Sequence, residues 1–76
     1  MGGLTPINWR DFEKFLRFVG CQFLREKGDH QVWGRLGLKR PIVFPKISNI
    51  PVFVIRNNLR LLDFSVANYL DVIDKL

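Results

Sequence analysis

Residues 20–33 read GCQFLREKGDHQVW, and this stretch decides the fold. Residues 21–26 alternate as a strand does, Lys27-Gly28-Asp29 supplies turn residues, and the extended pattern resumes over residues 30–33. The stretch therefore predicts a β-hairpin. A second glycine-containing turn, over residues 34–39, leads into the short β-branched strand PIVFP at residues 41–45, whose prolines suit an edge or a strand end. Three antiparallel strands are expected.

Helices are predicted on both sides of these strands. Asn8 as N-cap and Gly20 as the stop enclose apolar residues at helical spacing, namely Phe12, Phe15, Leu16 and Val19. Pro51 opens a second helix with an apolar face of Val52, Ile55, Leu59 and Leu62. Ser65 caps a third helix that runs to about Lys75. The predicted fold class is α+β, in the order αβββα with an additional short C-terminal helix.

Length and composition predict a single domain over residues 1–76. Hydrophobic residues make up 47% of the sequence, which is too many for a disordered chain.

The formal net charge is +5, and residues 25–62 hold eight Lys and Arg against two Asp and Glu, a net of +6. A polyanion such as nucleic acid is the natural partner of such a surface. Lys39 and Arg40 are interpreted as a solvated hairpin tip.

Several classes of protein are disfavoured by what the sequence lacks. Cys21 is the only cysteine, so no internal disulfide forms, and it is interpreted as a small buried apolar residue. No cluster of Cys, His or carboxylate residues has metal-ligand spacing, and no cofactor is expected. No apolar run approaches the roughly 20 residues needed to span a bilayer, and no signal peptide is found. We expect a soluble cytoplasmic protein without membrane contact.

His30 is the only histidine and the only side chain that ordinarily exchanges a proton near neutral pH. It lies between a glycine turn and a strand, inside the basic segment. Taken alone, such a histidine is more typical of a residue that satisfies a local hydrogen bond. Alternation also leaves open which face of the sheet it occupies, since Val32 and Trp33 are both apolar.

Four features of the sequence occur together: the αβββα order, the stretch GCQFLREKGDH at residues 20–30, IRNNLR at residues 55–60, and Phe64-Ser65 followed by an acidic amphipathic end. In these features the chain resembles the HicA family of toxins. The resemblance covers roughly residues 5–73. Members of the family are mRNA interferases with a fold like the double-stranded-RNA-binding domain, and a HicB antitoxin neutralises each. The resemblance implies that His30 is catalytic, that Gly28 and Asp29 form the supporting turn, and that a monomeric toxin assembles with a HicB-like antitoxin.

Two positions depart from the family's pattern. The motif usually reads Gly-Ser-His or Gly-Thr-His, whereas Asp29 stands before His30 here. A carboxylate at this place favours the protonated ring and repels phosphate. In many relatives a histidine follows the proline of the third strand, whereas Lys46 follows Pro45 here. Both departures concern the expected chemistry and not the expected fold.

The predicted reaction is a metal-independent cleavage of RNA. His30 removes the proton of the ribose 2′-OH, cations stabilise the charge on the phosphoryl oxygens, and a 2′,3′-cyclic phosphate remains. The group that protonates the leaving oxygen stays open among water, Lys27 and His30 itself. The cations predicted to contact RNA are Arg25, Lys27, Lys46, Arg56 and Arg60.

Two alternatives come from other classes of protein. One is an RNA-binding module of the same fold without catalysis, in which Asp29 marks a damaged motif. The other is a DNA-binding helix-turn-helix around Asp63-Phe64-Ser65, which Asp71 and Asp74 disfavour because phosphates repel them.

Overall fold

The computed structural model describes residues 3–76, in which three helices and three strands follow one another. Their order is α1 (Trp9–Phe18), β1 (Gln22–Lys27), β2 (His30–Gly34), β3 (Ile42–Pro45), α2 (Val52–Leu61) and α3 (Val66–Lys75). The predicted αβββα order with an additional C-terminal helix is confirmed. Residues 1 and 2 of the predicted domain lie outside the described range.

Local hydrogen bonds fix both ends of α1. The Asn8 side chain accepts a hydrogen bond from the backbone N–H of Arg10 at 2.9 Å. At the other end Gly20 adopts a φ of +85°, and the N–H of Cys21 donates to the carbonyl of Leu16 at 2.9 Å. This is the Schellman arrangement, which suits a glycine. Because Cys21 completes the helix end in this way, β1 begins at Gln22, one residue later than the alternation predicts.

The junction between α2 and α3 repeats this arrangement without a glycine. Asp63 adopts a φ of +52°, and the N–H of Phe64 donates to the carbonyl of Leu59 at 3.0 Å. The Ser65 hydroxyl then accepts a hydrogen bond from the N–H of Asn68 at 3.1 Å, as its predicted role as N-cap requires. Four residues, 62–65, therefore connect α2 to α3.

The sheet is antiparallel in the order β1-β2-β3, and α1 covers one of its faces. Phe44 is fully buried and meets the ring of Phe12 edge to face, with the ring centres 5.0 Å apart. In the register, Gln31 lies opposite Phe44 and Trp33 opposite Ile42, so these four side chains share the face that packs on the helices.

Helix α2 lies against the outer strand β3. The buried Asn58 donates from Nδ2 to the carbonyl oxygen of Val43 at 3.1 Å. A backbone acceptor of the edge strand is thereby satisfied by a side chain instead of by another strand. Within residues 3–76 no helix has the length and apolar character needed to cross a membrane.

Candidate functional site

A tight turn places His30 at the end of the central strand. Gly28 and Asp29 form a two-residue hairpin loop, and Gly28 has a φ of +62°, which the first position of a type II′ turn requires. The carbonyl of Asp29 accepts a hydrogen bond from the N–H of Lys46 at 2.8 Å, which ties the turn to the end of β3. His30 therefore lies at the end of a strand whose turn is hydrogen-bonded to the neighbouring strand β3.

The imidazole of His30 is accessible and makes one polar contact. Its Nδ1 lies 3.0 Å from Oδ1 of Asp29, and the His30 side chain is 48% exposed. A carboxylate only accepts hydrogen bonds, so this contact places the hydrogen on Nδ1. In the neutral ring Nε2 then keeps its lone pair, and Nε2 is the atom that can take up a proton.

The open face, defined here as the sheet surface that carries His30, is opposite α1. Gln31 and Trp33 are buried on the helix-facing side, and neighbouring residues of a strand point to opposite faces, so His30 points away from the helices. Cross-strand partners share a face: Lys27 lies opposite His30 and Arg25 opposite Val32. The structure thus brings Arg25 and Lys27 to the same face as the imidazole.

Lys46, also predicted to contact RNA, is engaged on the helix-facing side. Its Nζ lies 3.2 Å from Oε1 of Glu26 and 4.9 Å from the centre of the Trp9 ring. The hydrogen bonds from Lys46 and, more weakly, from Gln31 hold the pKa of the Glu26 carboxyl below its ordinary value. The Lys46 charge is therefore neutralised by a carboxylate, and the structure does not place it beside His30.

Arg56 and Arg60 are exposed on α2, away from the sheet. Each lies two residues from Asn58, which contacts β3, and two residues correspond to about 200° around a helix. The two guanidinium groups are therefore on the outward side of α2. Lys27, His30 and Pro45 lie side by side on the three neighbouring strands. Arg56 and Arg60 are not among these neighbours of His30.

Glu26 is the residue of this region that the sequence did not single out. Its pairing with Lys46 joins residues 20 positions apart, and no local pattern announces such a contact. Among residues 3–76, no group of three or more His, Cys, Asp or Glu side chains lies close enough together to hold a metal ion.

Comparisons with known proteins do not identify the chain. No protein-family model matches it, no curated protein matches it, and no solved structure matches it.

Proposed function

We propose that this protein is a small histidine-dependent endoribonuclease of the HicA type, the toxin of a toxin–antitoxin pair. The observation that carries the proposal is the exposed His30, held through Nδ1 by Asp29 on a face shared with Lys27 and Arg25. The resemblance of residues 20–30 to the motif of the HicA family favours RNA as the substrate and His30 as the catalytic residue. The same resemblance favours the cytoplasm as its location and a HicB-like antitoxin as its protein partner.

The reaction needs a base and cations, and both have a place in the proposal. Nε2 of His30 takes the proton of the 2′-OH, O2′ forms a bond to the adjacent phosphorus, and the bond from phosphorus to O5′ breaks. A general base of this kind contributes on the order of 10²- to 10⁴-fold. Lys27 and Arg25 stabilise the charge that develops on the phosphoryl oxygens. A proton reaches O5′ from water, from Lys27 or from the protonated His30, and a 2′,3′-cyclic phosphate remains.

Asp29 has an orienting role in this proposal. Its contact with Nδ1 fixes the ring and selects the tautomer whose Nε2 accepts the proton. The same carboxylate lies where a phosphate must approach, so it also repels the substrate. A histidine that is well oriented but placed beside a negative charge fits a slow nuclease. Lys46, Arg56 and Arg60 stay predictions for contacts with RNA outside the reacting phosphate.

The deciding experiment compares the wild-type protein with His30→Ala, both purified in the same way so that the variant controls for contaminating ribonucleases. The wild type should cleave labelled RNA in EDTA, leave a cyclic phosphate, and spare a substrate with a single deoxynucleotide at the scissile position. His30→Ala should fold, bind the same RNA and not cleave it. On expression, only the wild type should arrest growth. Cleavage that persists in His30→Ala contradicts the proposal.

A second candidate function is RNA binding without cleavage. The exposed contact between His30 and Asp29 favours it, because the same geometry also satisfies a histidine with no catalytic role. Binding of labelled RNA by the wild type with no cleavage under any of these conditions would select this candidate.

A further inference from the structure

A groove of about 600 Å³ opens at the end of the sheet remote from His30. Its walls come from β1, from the end of β2 and from residues 35–41 of the loop that leads to β3. Four of the lining residues are cations, and none is acidic: Arg25, Arg35, Lys39 and Arg40. The groove therefore concentrates positive charge on one concave surface.

No carboxylate neutralises a groove cation among the residues that the structure describes, and only Arg35 is held by another group, the carbonyl of Val19. Within residues 3–76, the ion pairs join Lys14, Arg17, His30, Lys46 and Lys75 to carboxylates, and none of them includes a groove cation. Arg25, Lys39 and Arg40 are exposed. Their charges contrast with that of Lys46, which Glu26 neutralises.

The walls of the groove are preformed. Arg35 donates from Nη1 to the carbonyl of Val19 at 2.7 Å, which anchors the loop to the end of α1. Gly37 turns the loop with a φ of +92°. At Gly34, which has no side chain, Leu24 lies close to the backbone: a Cβ there would come within 2.9 Å of Cδ1 of Leu24. A ligand thus meets a surface that is ordered before it binds.

The groove is connected to the histidine through Arg25. Arg25 lines the groove. It also lies opposite Val32 in the sheet, on the same face as His30 and two residues along β1 from Lys27, the partner of His30. His30 and Gly34 are four residues apart on one strand, which corresponds to about 13 Å. A chain of phosphates can therefore pass from the imidazole over Arg25 into the groove.

We propose that the groove binds the sugar-phosphate backbone of RNA beside the phosphate that is cleaved at His30. The inference rests on the proposed ribonuclease function and adds where the substrate strand runs. Three of the four cations are arginines, and a planar guanidinium matches a phosphate with two hydrogen bonds. Arg35 uses its Nη1 to hold the loop, so Arg25 and Arg40 are the arginines that offer this match. Lys39 and Arg40, interpreted from the sequence as a solvated tip, thereby become contacts to the substrate.

The test measures RNA binding in the His30→Ala background, where cleavage does not interfere. Lys39→Gln with Arg40→Gln removes two groove charges at exposed positions. The matched control, Lys14→Gln with Lys75→Gln, removes two charges that pair with Asp11 and Asp71 elsewhere. The affinity for a labelled oligoribonucleotide of mixed sequence is then measured over a range of salt concentrations.

If the groove holds two phosphates through these residues, the negative slope of log K, the association constant, against log salt becomes less steep by about 1.4 in the groove variant, since each contact to single-stranded RNA contributes about 0.7 to its magnitude. The control should keep the slope of the parent protein. An unchanged slope in the groove variant, or an equal loss of steepness in both variants, overturns the inference. Binding of polyglutamate is measured in the same way. The inference is also overturned if the groove variant loses binding to polyglutamate but keeps its binding to RNA, because the groove then serves an acidic protein.

The two proposals fail in different ways. If His30→Ala abolishes cleavage while the groove variant keeps the full salt slope, only the course of the RNA strand is wrong. If the protein with all its groove cations does not bind RNA at any salt concentration, the ribonuclease function fails and the groove inference fails with it.

Discussion

The hydrogen bond between Trp33 and Gln31 gives the most quantitative prediction about this fold. The indole Nε1 of Trp33 donates to Oε1 of Gln31 at 2.9 Å, and the two residues are 1% and 4% exposed. Gln31→Leu keeps a side chain of similar size and removes the acceptor. The indole N–H is then buried without a partner, because water does not reach it.

The expected cost is about 1–3 kcal/mol, the penalty for a buried donor that loses its acceptor. A domain of this length has a free energy of unfolding of about 4–11 kcal/mol in total. One hydrogen bond therefore represents a large part of the stability. A loss of about 2 kcal/mol lowers the Tm of such a domain by about 10 °C.

Urea unfolding followed by far-UV circular dichroism measures the effect, and Trp33→Phe supplies the control. In the Trp33→Phe background no indole N–H is left, so Gln31→Leu should be nearly neutral. The weaker contact from Nε2 of Gln31 to Glu26, at 3.4 Å, is lost in both backgrounds and cancels in the comparison. An equal cost in both backgrounds would refute the assignment of the penalty to the Trp33 donor.

Two further predictions concern pH and a backbone conformation. Burial, and in smaller part the charge of Asp11, raises the pKa of Tyr69 to about 12. In the unfolded chain the phenol ionises near pH 10, so the stability that the neutral, buried phenol contributes is complete below pH 10. This contribution of roughly 2–3 kcal/mol to the free energy of unfolding is lost as the pH rises towards 12. Absorbance of the single tyrosine as tyrosinate, measured beside unfolding at each pH, checks this, and a midpoint near 10 in the folded protein would contradict it. Asp63→Gly should raise the free energy of unfolding by about 0.5–1 kcal/mol because the φ of +52° suits glycine, whereas Asp63→Ala should lower it. Thermal unfolding measures both variants, and a Tm that is higher for Asp63→Ala than for Asp63→Gly would contradict this prediction.

The sequence predicted those features that local chemistry decides. Asn8 and Ser65 cap their helices because a side-chain oxygen reaches an N–H two or three residues ahead. Gly20 ends α1 and Gly28 turns the hairpin because both need a positive φ. Such signals lie within a few residues of the element they define, so one sequence is enough to recognise them.

The face of His30 and the state of the basic side chains depend on contacts between distant residues. Val32 and Trp33 are both apolar, so only the packing of Trp33 against the helices decides that His30 faces outward. Lys46 is neutralised by Glu26, from which it is separated by a hairpin and a loop. A count of charges by segment treats Lys46 and Arg40 alike, although the structure pairs one and leaves the other available.

The contact of Asn58 with the carbonyl of Val43 has a consequence for self-association. A sheet with two bare edges can recruit strands from both sides, and a fibre grows without limit from such units. Here α2 occupies the side of β3, while the six residues of β1 are all exposed at the other side. Within residues 3–76, β1 is the edge that remains available, so two copies that met through β1 would leave no edge for a third, and strand pairing between copies would end at a dimer.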